Sequence, residues 1–215
     1  MNLSGMDTRD VQAMLSDYYS IEKTLRRQGF DVGRMDDSSR VIQSTDPFYE
    51  LLKFKSKRRI LAAIYHEGMM TVDEILTKYS NFTRCFVVST VQKCEAEGAV
   101  RVSDDPIKPI ADRDLGVTFE WFTAEIVKRE MSGIASFAVH INGLRTGGDY
   151  DVIARLDDVV VYIECKAGSL GGVSRGHIAE FIKRDGELSP NLSLFIVDAP
   201  DIDDDFVSRV PQVSR

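Results

Sequence analysis

Several residue types are scarce, and each shortage removes a class of structure. Three cysteines occur in 215 residues, Cys85, Cys94 and Cys165, and none belongs to a C-x-x-C pair. A disulfide framework and a cysteine-rich zinc site are therefore excluded, and a reducing cytoplasm is the expected setting. No run of about 18 uncharged apolar residues exists, so no membrane-spanning helix and no membrane partner are expected. The opening residues carry acids and no long apolar stretch, which excludes an obvious secretory signal. Positive charge is short as well: 27 Lys and Arg face 34 Asp and Glu, a net charge of −7. A chain of that balance is not a polyanion binder over its whole surface, although a local basic site is compatible with it. Internal repeats and long low-complexity tracts are absent.

What is present is ordinary for a globular protein: 43% hydrophobic and 28% charged residues. The length allows one large domain or two small ones, with a core that needs no disulfide or metal. Charge is unevenly spread. From Leu51 to Ser103 nine Lys and Arg stand against five Asp and Glu, which leaves the remainder at −11. A basic segment in an acidic chain marks a polyanion surface or, more simply, a solvated face.

Apolar spacing of three to four residues, with Val11, Met14, Leu15, Tyr18, Tyr19, Ile21 and Leu25, predicts a helix over 1–29 that stops at Gly29. The polar stretch 30–46 reads as a loop, so 1–46 is an N-terminal helix and linker. Three helical patterns follow. The first runs over 48–66 and closes at Gly68. The second starts at Thr71, with Glu74 placed for a capping box, and the third starts at Thr83 and ends at Gly98. Ala99 to Val102 then reads as a short strand. Pro106 and Pro109 punctuate the chain, so 103–113 is the expected domain boundary. Beyond it come a helix over 116–131, strands over 134–141, 150–156 and 159–165, a helix over 178–184 and a strand over 192–197. Asp201 to Asp205 open an acidic tail, 201–215.

Helix, helix, helix and short strand, over 47–103, resembles the winged helix-turn-helix family. The residues that carry the resemblance are Lys57-Arg58-Arg59-Ile60-Leu61, Thr71-Val72-Asp73-Glu74-Ile75, and Thr90 through Val100. The family inserts its third helix into the major groove. The implied DNA contacts are Arg84, Ser89 and Gln92, with Thr83, on that helix, and Lys57 and Arg58 ahead of it. The same family also serves in dimerisation and protein docking.

The sharper pattern is Gly147-Gly148-Asp149-Tyr150-Asp151-Val152-Ile153-Ala154, a short turn, then Val161-Tyr162-Ile163-Glu164-Cys165-Lys166. Residues two apart on a strand share a face, so Glu164 and Lys166 project together. Antiparallel pairing about Asp157-Asp158 brings Asp151 close to Glu164 across the ladder. Charged groups at the edge of an apolar sheet need partners. Hard oxygen ligands, few in number, suit magnesium. A salt-bridge cluster of Lys166 with Glu164 or Asp151 is the plainer alternative.

This pattern resembles the PD-(D/E)xK nuclease superfamily, in its restriction-endonuclease-like, Mrr and Holliday-junction-resolvase branches, over about 112–200. The resemblance implies that Asp151, Glu164 and the Cys165 carbonyl bind magnesium, with manganese as a substitute. It implies that Lys166 serves the attacking water, and that Glu120 on the preceding helix joins the metal, Glu125 being the second choice. Asp149 is an alternative acid to Asp151, and His177 is the histidine with access to the site. His66 and His140 stand alone, and Cys165 has no expected nucleophilic role. Two departures stand out: Tyr150 replaces the proline before Asp151, and no Gln occurs between Ser174 and Arg184, where Ser174, Arg175 and His177 stand.

The expected fold is α/β (α+β): a helical winged-helix domain followed by a restriction-endonuclease-like domain with a mixed central sheet flanked by helices. The expected activity is metal-dependent hydrolysis of DNA phosphodiesters by a homodimer. The competing expectation is a non-catalytic DNA-binding or regulatory protein that retains the nuclease fold.

Overall fold

Side-chain caps set where most helices begin. In the structure, a computed structural model that describes residues 20–103, 106–167 and 172–199, Ser20 caps α1 (Ile21–Arg27) and Thr45 caps α2 (Asp46–Leu52). Helix α3 (Lys55–Glu67) starts at Phe54 with no side-chain cap and ends at Gly68, whose φ of +73° suits a residue without Cβ. Thr71 and Glu74 form the expected capping box of α4 (Val72–Lys78), and Thr83 caps α5 (Arg84–Ala96). Asp114 caps α6 (Leu115–Glu130), and Ser174 caps α7 (Arg175–Leu188). Each hydroxyl or carboxylate accepts a backbone N–H that the first helical turn leaves unpaired.

The strands are β1 (Asp31–Arg34), β2 (Val100–Val102), β3 (Ile107–Pro109), β4 (Ile134–Asn142), β5 (Asp149–Leu156), β6 (Val159–Ala167) and β7 (Leu192–Asp198). Five of them form a sheet in the order β1-β4-β5-β6-β7. Only β6 and β7 run parallel, and α7 supplies the crossover that a parallel pair requires. Strands β2 and β3 form a separate antiparallel ribbon. The fold is thus mixed α and β, with helices on a mixed sheet, as expected.

Three local expectations are corrected. The pattern over 48–66 is two helices, broken at Lys53 and Phe54. The polar stretch 30–46 is not a plain loop: β1 joins the sheet edge beside β4, and a 3-10 turn follows at Ser38–Arg40. Only Val32 of β1 is buried, so the strand carries almost no periodic signal. The boundary region 103–113 contains β3, whose partner is β2. Of the helix expected over 1–29, 21–27 is helical and 1–19 lies outside the described residues, as does the tail 201–215.

One continuous hydrophobic core runs from Val41 through the helical segment to α6 and Cys165 of β6. A second core joins Ile21 and Leu25 of α1 to Val139, Ile141, Tyr150 and Tyr162. Ala135 and Phe137 of β4 belong to the first core, yet Val139 and Ile141, of the same parity, belong to the second. Between them Ala138 adopts φ +48°, which inverts the facing of the strand. Among the described residues no helix is long and apolar enough to cross a membrane.

Candidate active site at the end of the β5–β6 ladder

Strands β5 and β6 pair from Leu156 opposite Val159 as far as Val152 opposite Ile163, and there the ladder stops. Its register continued would set Asp151 against Glu164. Strand β5 stays with β4 as far as Asp149, while β6 stays with β7 to Ala167. The sheet therefore splits, and Asp151 fills the gap: its Oδ2 accepts the Cys165 N–H at 2.8 Å. A strand residue points its N–H and C=O toward the same neighbour, so the Cys165 carbonyl faces the same gap. The αL residue Ala138 of β4 falls opposite Asp151 in the β4–β5 register. Such strain costs on the order of 1–3 kcal/mol and concentrates at functional positions.

Glu164 is 3% exposed. Its carboxylate is fully engaged. Lys166 Nζ donates to Oε1 at 2.7 Å, Arg184 Nη1 donates to Oε2 at 3.1 Å, and the Tyr162 hydroxyl also donates to Oε2. Lys166 Nζ lies 3.7 Å from Asp151 Oδ2. Arg184 Nη2 continues to Glu180 at 2.8 Å, while its Nε is buried without a partner.

Electrostatics follow from burial. Burial pushes the Glu120 carboxyl up to about 9, with the charges of Asp151 and Asp114 adding and Lys166 opposing. Burial, and then the Glu164 charge, hold Asp151 above the usual carboxylate range. Burial pulls the Lys166 ammonium down, but Asp151 and Glu164 together outweigh it and leave it above the ordinary lysine value. Burial lowers and Glu164 raises the Arg184 guanidinium, with a net upward shift. The Cys165 thiol is held neutral, raised by burial and then by Asp151.

Asp151, Glu164, Lys166 and Cys165 thus meet at one place, and Glu120 is close enough to feel the charges there. Glu125 is not: it pairs with Lys128 at 3.1 Å and Arg129 at 2.6 Å. Asp149 is exposed and bonded to His140 at 2.8 Å. His177 completes the α7 cap, its ring nitrogen meeting the Ser174 N–H at 3.2 Å. The sequence reading missed Tyr162 and Arg184. Tyr162 was findable, two residues before Glu164 on the same strand face. Arg184 had only its helical pairing with Glu180 as a signal.

The donor set suits magnesium in kind, being carboxylate and carbonyl oxygen. Glu120 has no hydrogen-bond partner among the described residues, and Asp151 uses one oxygen on Cys165. Glu164, however, is saturated by Lys166, Arg184 and Tyr162. Among the described residues no group of three His, Cys, Asp or Glu is arranged to hold an ion. The acids fit a metal only if Glu164 turns away from Arg184.

On the helical segment, Thr83 at the cap of α5 and Arg84, Ser89 and Gln92 on that helix are exposed. Arg84 is paired with Asp73 of α4. Lys57 lies over the Phe54 ring at 3.9 Å. Arg58 leaves the expected DNA-facing set: it bonds Asp198 at 2.6 and 2.9 Å, and its side chain is 18% exposed.

No family model matches the chain, and no curated protein matches it. Among solved structures it is similar to protein VC1899 from Vibrio cholerae, at 12% identity and a TM-score of 0.48, over 77% of this chain and 51% of that one. The chain spans about half the length of that protein. A likeness so distant carries no argument about fold or activity.

Proposed function

We propose that the protein is a metal-dependent nuclease that hydrolyses DNA phosphodiester bonds. The observation that supports this reading best is the convergence of Asp151, Glu164 and Lys166, with Glu120 behind them, where the sheet splits. Asp151, the Cys165 carbonyl and Glu120 would hold the ion, joined by Glu164. A magnesium ion, or manganese in its place, would neutralise charge on the phosphate and acidify the attacking water. Lys166 reaches both carboxylates and holds its proton, so it serves as a fixed positive charge that orients water and phosphate. Without the ion Arg184 and Tyr162 hold Glu164 in place, and Glu164 would turn from Arg184 to join the ion. The exposed face of α5, with Arg84, Ser89 and Gln92, and Lys57 beside it, offers a winged-helix-like contact for DNA. The β2–β3 ribbon, where a wing would stand, supports that comparison. A homodimer would set two such sites against two strands.

The test is incubation of the chain with supercoiled plasmid, linear duplex, single strands and a four-way junction, each with EDTA, magnesium or manganese. Metal-dependent cutting, lost in Lys166→Ala, is the expected result. Cutting that survives Lys166→Ala, or none on any substrate, sinks the proposal. Calorimetry with manganese is expected to show binding that Asp151→Ala removes.

A second reading, a non-catalytic DNA-binding protein that retains the fold, is favoured by one observation. Glu164 is already neutralised by Lys166 and Arg184, so the cluster is balanced without a metal. DNA binding without cutting, and without manganese binding, is the outcome that selects it.

A further inference from the structure

A cavity of about 430 Å³ lies between the helical segment and the sheet. That volume falls within the range of about 300–1,000 Å³ typical of small-molecule sites. Leu115, Phe119 and Phe122 of α6 line it, as do Leu61 and Ala62 of α3, and it reaches Ala167 and Asp198 at the ends of β6 and β7. Cavity and candidate site share two elements. Ala167 follows Lys166 on β6, with its side chain on the opposite face of the strand, and Glu120 lies between Phe119 and Phe122 on α6.

The walls are largely apolar, and the charges on them are unevenly matched. Arg58 is bonded to Asp198, and Lys78 to Glu67 at 2.6 Å. Arg59 has no carboxylate and no hydrogen-bond acceptor for its side chain among the described residues. Aromatic rings hold it instead, Tyr79 at 4.6 Å and Phe82 at 5.6 Å from the guanidinium carbon. Its Nε is buried without a partner. That Nε is covered by protein atoms, so a ligand in the cavity would meet the terminal Nη groups, and a guanidinium without a carboxylate on a cavity wall suits an anion. The planar fork of donors fits phosphate oxygens in pairs.

We infer that this cavity takes one nucleoside monophosphate unit, with its base between the apolar walls and its phosphate on Arg59. The choice of a nucleotide over another flat anion rests on the nuclease reading, since α6 carries both the cavity wall and Glu120. The unit has two sources of the same chemistry: a free nucleotide, or a nucleotide unstacked from the bound strand, which must forfeit its stacking to enter.

The experiment uses the full chain in EDTA, so that binding is read without cutting. Calorimetry follows deoxyadenosine monophosphate, with adenosine alone and inorganic phosphate alone as controls. A parallel arm follows the fluorescence of 2-aminopurine placed in a single strand and in a duplex. Arg59→Ala removes the cation, and Ala62→Phe fills the cavity without touching an ion pair. Circular dichroism checks the fold of each. The expected result is a response in one arm or both, weakened at least tenfold by each variant. A response to free nucleotide names the first source, and a response in the oligonucleotide names the second. Where Ala62→Phe does not fold, Arg59→Lys replaces it: it keeps the charge, loses the paired donors and is expected to weaken binding severalfold. The inference is overturned if neither arm responds or if affinity survives the variants. It is also overturned if inorganic phosphate binds as well as the nucleotide. Cutting without a cavity response sinks this inference alone, whereas a cavity response without cutting sinks the nuclease reading alone.

Discussion

Glu120 and Arg184 are both partly buried at the cluster, and both have measurable consequences. The folded-state value of Glu120, about 9, lies above its ordinary 4.5. Between those values the folded chain keeps a proton that the unfolded chain has lost. The contribution of Glu120 to stability is therefore fully present below pH 4.5 and is lost as pH rises toward 9. Asp151, also raised, acts with the same sign at lower pH. Glu120→Gln removes the larger part of this loss. Metal-free thermal melts are expected to show the variant more stable than the parent by about 1–3 kcal/mol at pH 8, and equal to it at pH 5. A parent whose stability is flat between those pH values refutes the assignment. Arg184 works in the opposite direction, since removing it strands a buried carboxylate. Arg184→Ala is expected to cost roughly 3 kcal/mol, and adding Glu164→Gln to restore much of that. Denaturant titration of the four chains of the cycle measures it, and additive losses would show that the pair is not coupled.

At the scale of elements, the connection between β4 and β5 decides where Asp151 stands. Gly148 has φ +78°, and a Cβ there would lie 1.9 Å from the Ile141 carbonyl oxygen. That oxygen belongs to a strand that cannot retreat without disturbing the register. Gly143 has the same φ of +78° but open space around its Cβ. Gly148→Ala is therefore expected to cost about 3 kcal/mol or more, and Gly143→Ala about 1 kcal/mol from backbone strain alone. Equal losses in chemical denaturation would refute the close approach as the cause. Helix starts were legible at this scale, because a capping box is a contact between residues three apart. Thr71 with Glu74 announced α4 from sequence alone. The break between α2 and α3 was not legible, since Lys53 and Phe54 are compatible with a continuing helix and no proline or glycine marks the place.

At the scale of the molecule, the helical segment and the sheet are joined by a shared core and by a half-buried ion pair. Arg58 of α3 and Asp198 at the end of β7 are 140 residues apart in sequence, and their side chains are 18% and 15% exposed. Arg58→Ala is expected to cost about 2 kcal/mol, with Asp198 left facing the cavity unpaired. Arg58→Ala combined with Asp198→Ala is expected to cost less than the single change, and a larger loss in the double variant would sink the account. The sequence by itself determined what short-range geometry determines. A two-residue turn between apolar strands fixes an antiparallel register, and that register places Asp151 near Glu164, with Lys166 two residues on. Periodicity likewise gave the helices and the central strands. Only the tertiary structure decided that the sheet splits beside Asp151, that Arg184 and Tyr162 close on Glu164, that β1 belongs to the sheet, and that Arg58 turns inward to Asp198. Each of these depends on burial and on partners brought together by the packing of separate elements. Arg184 reaches Glu164 only because α7 crosses back over the sheet, and no spacing in the chain records that.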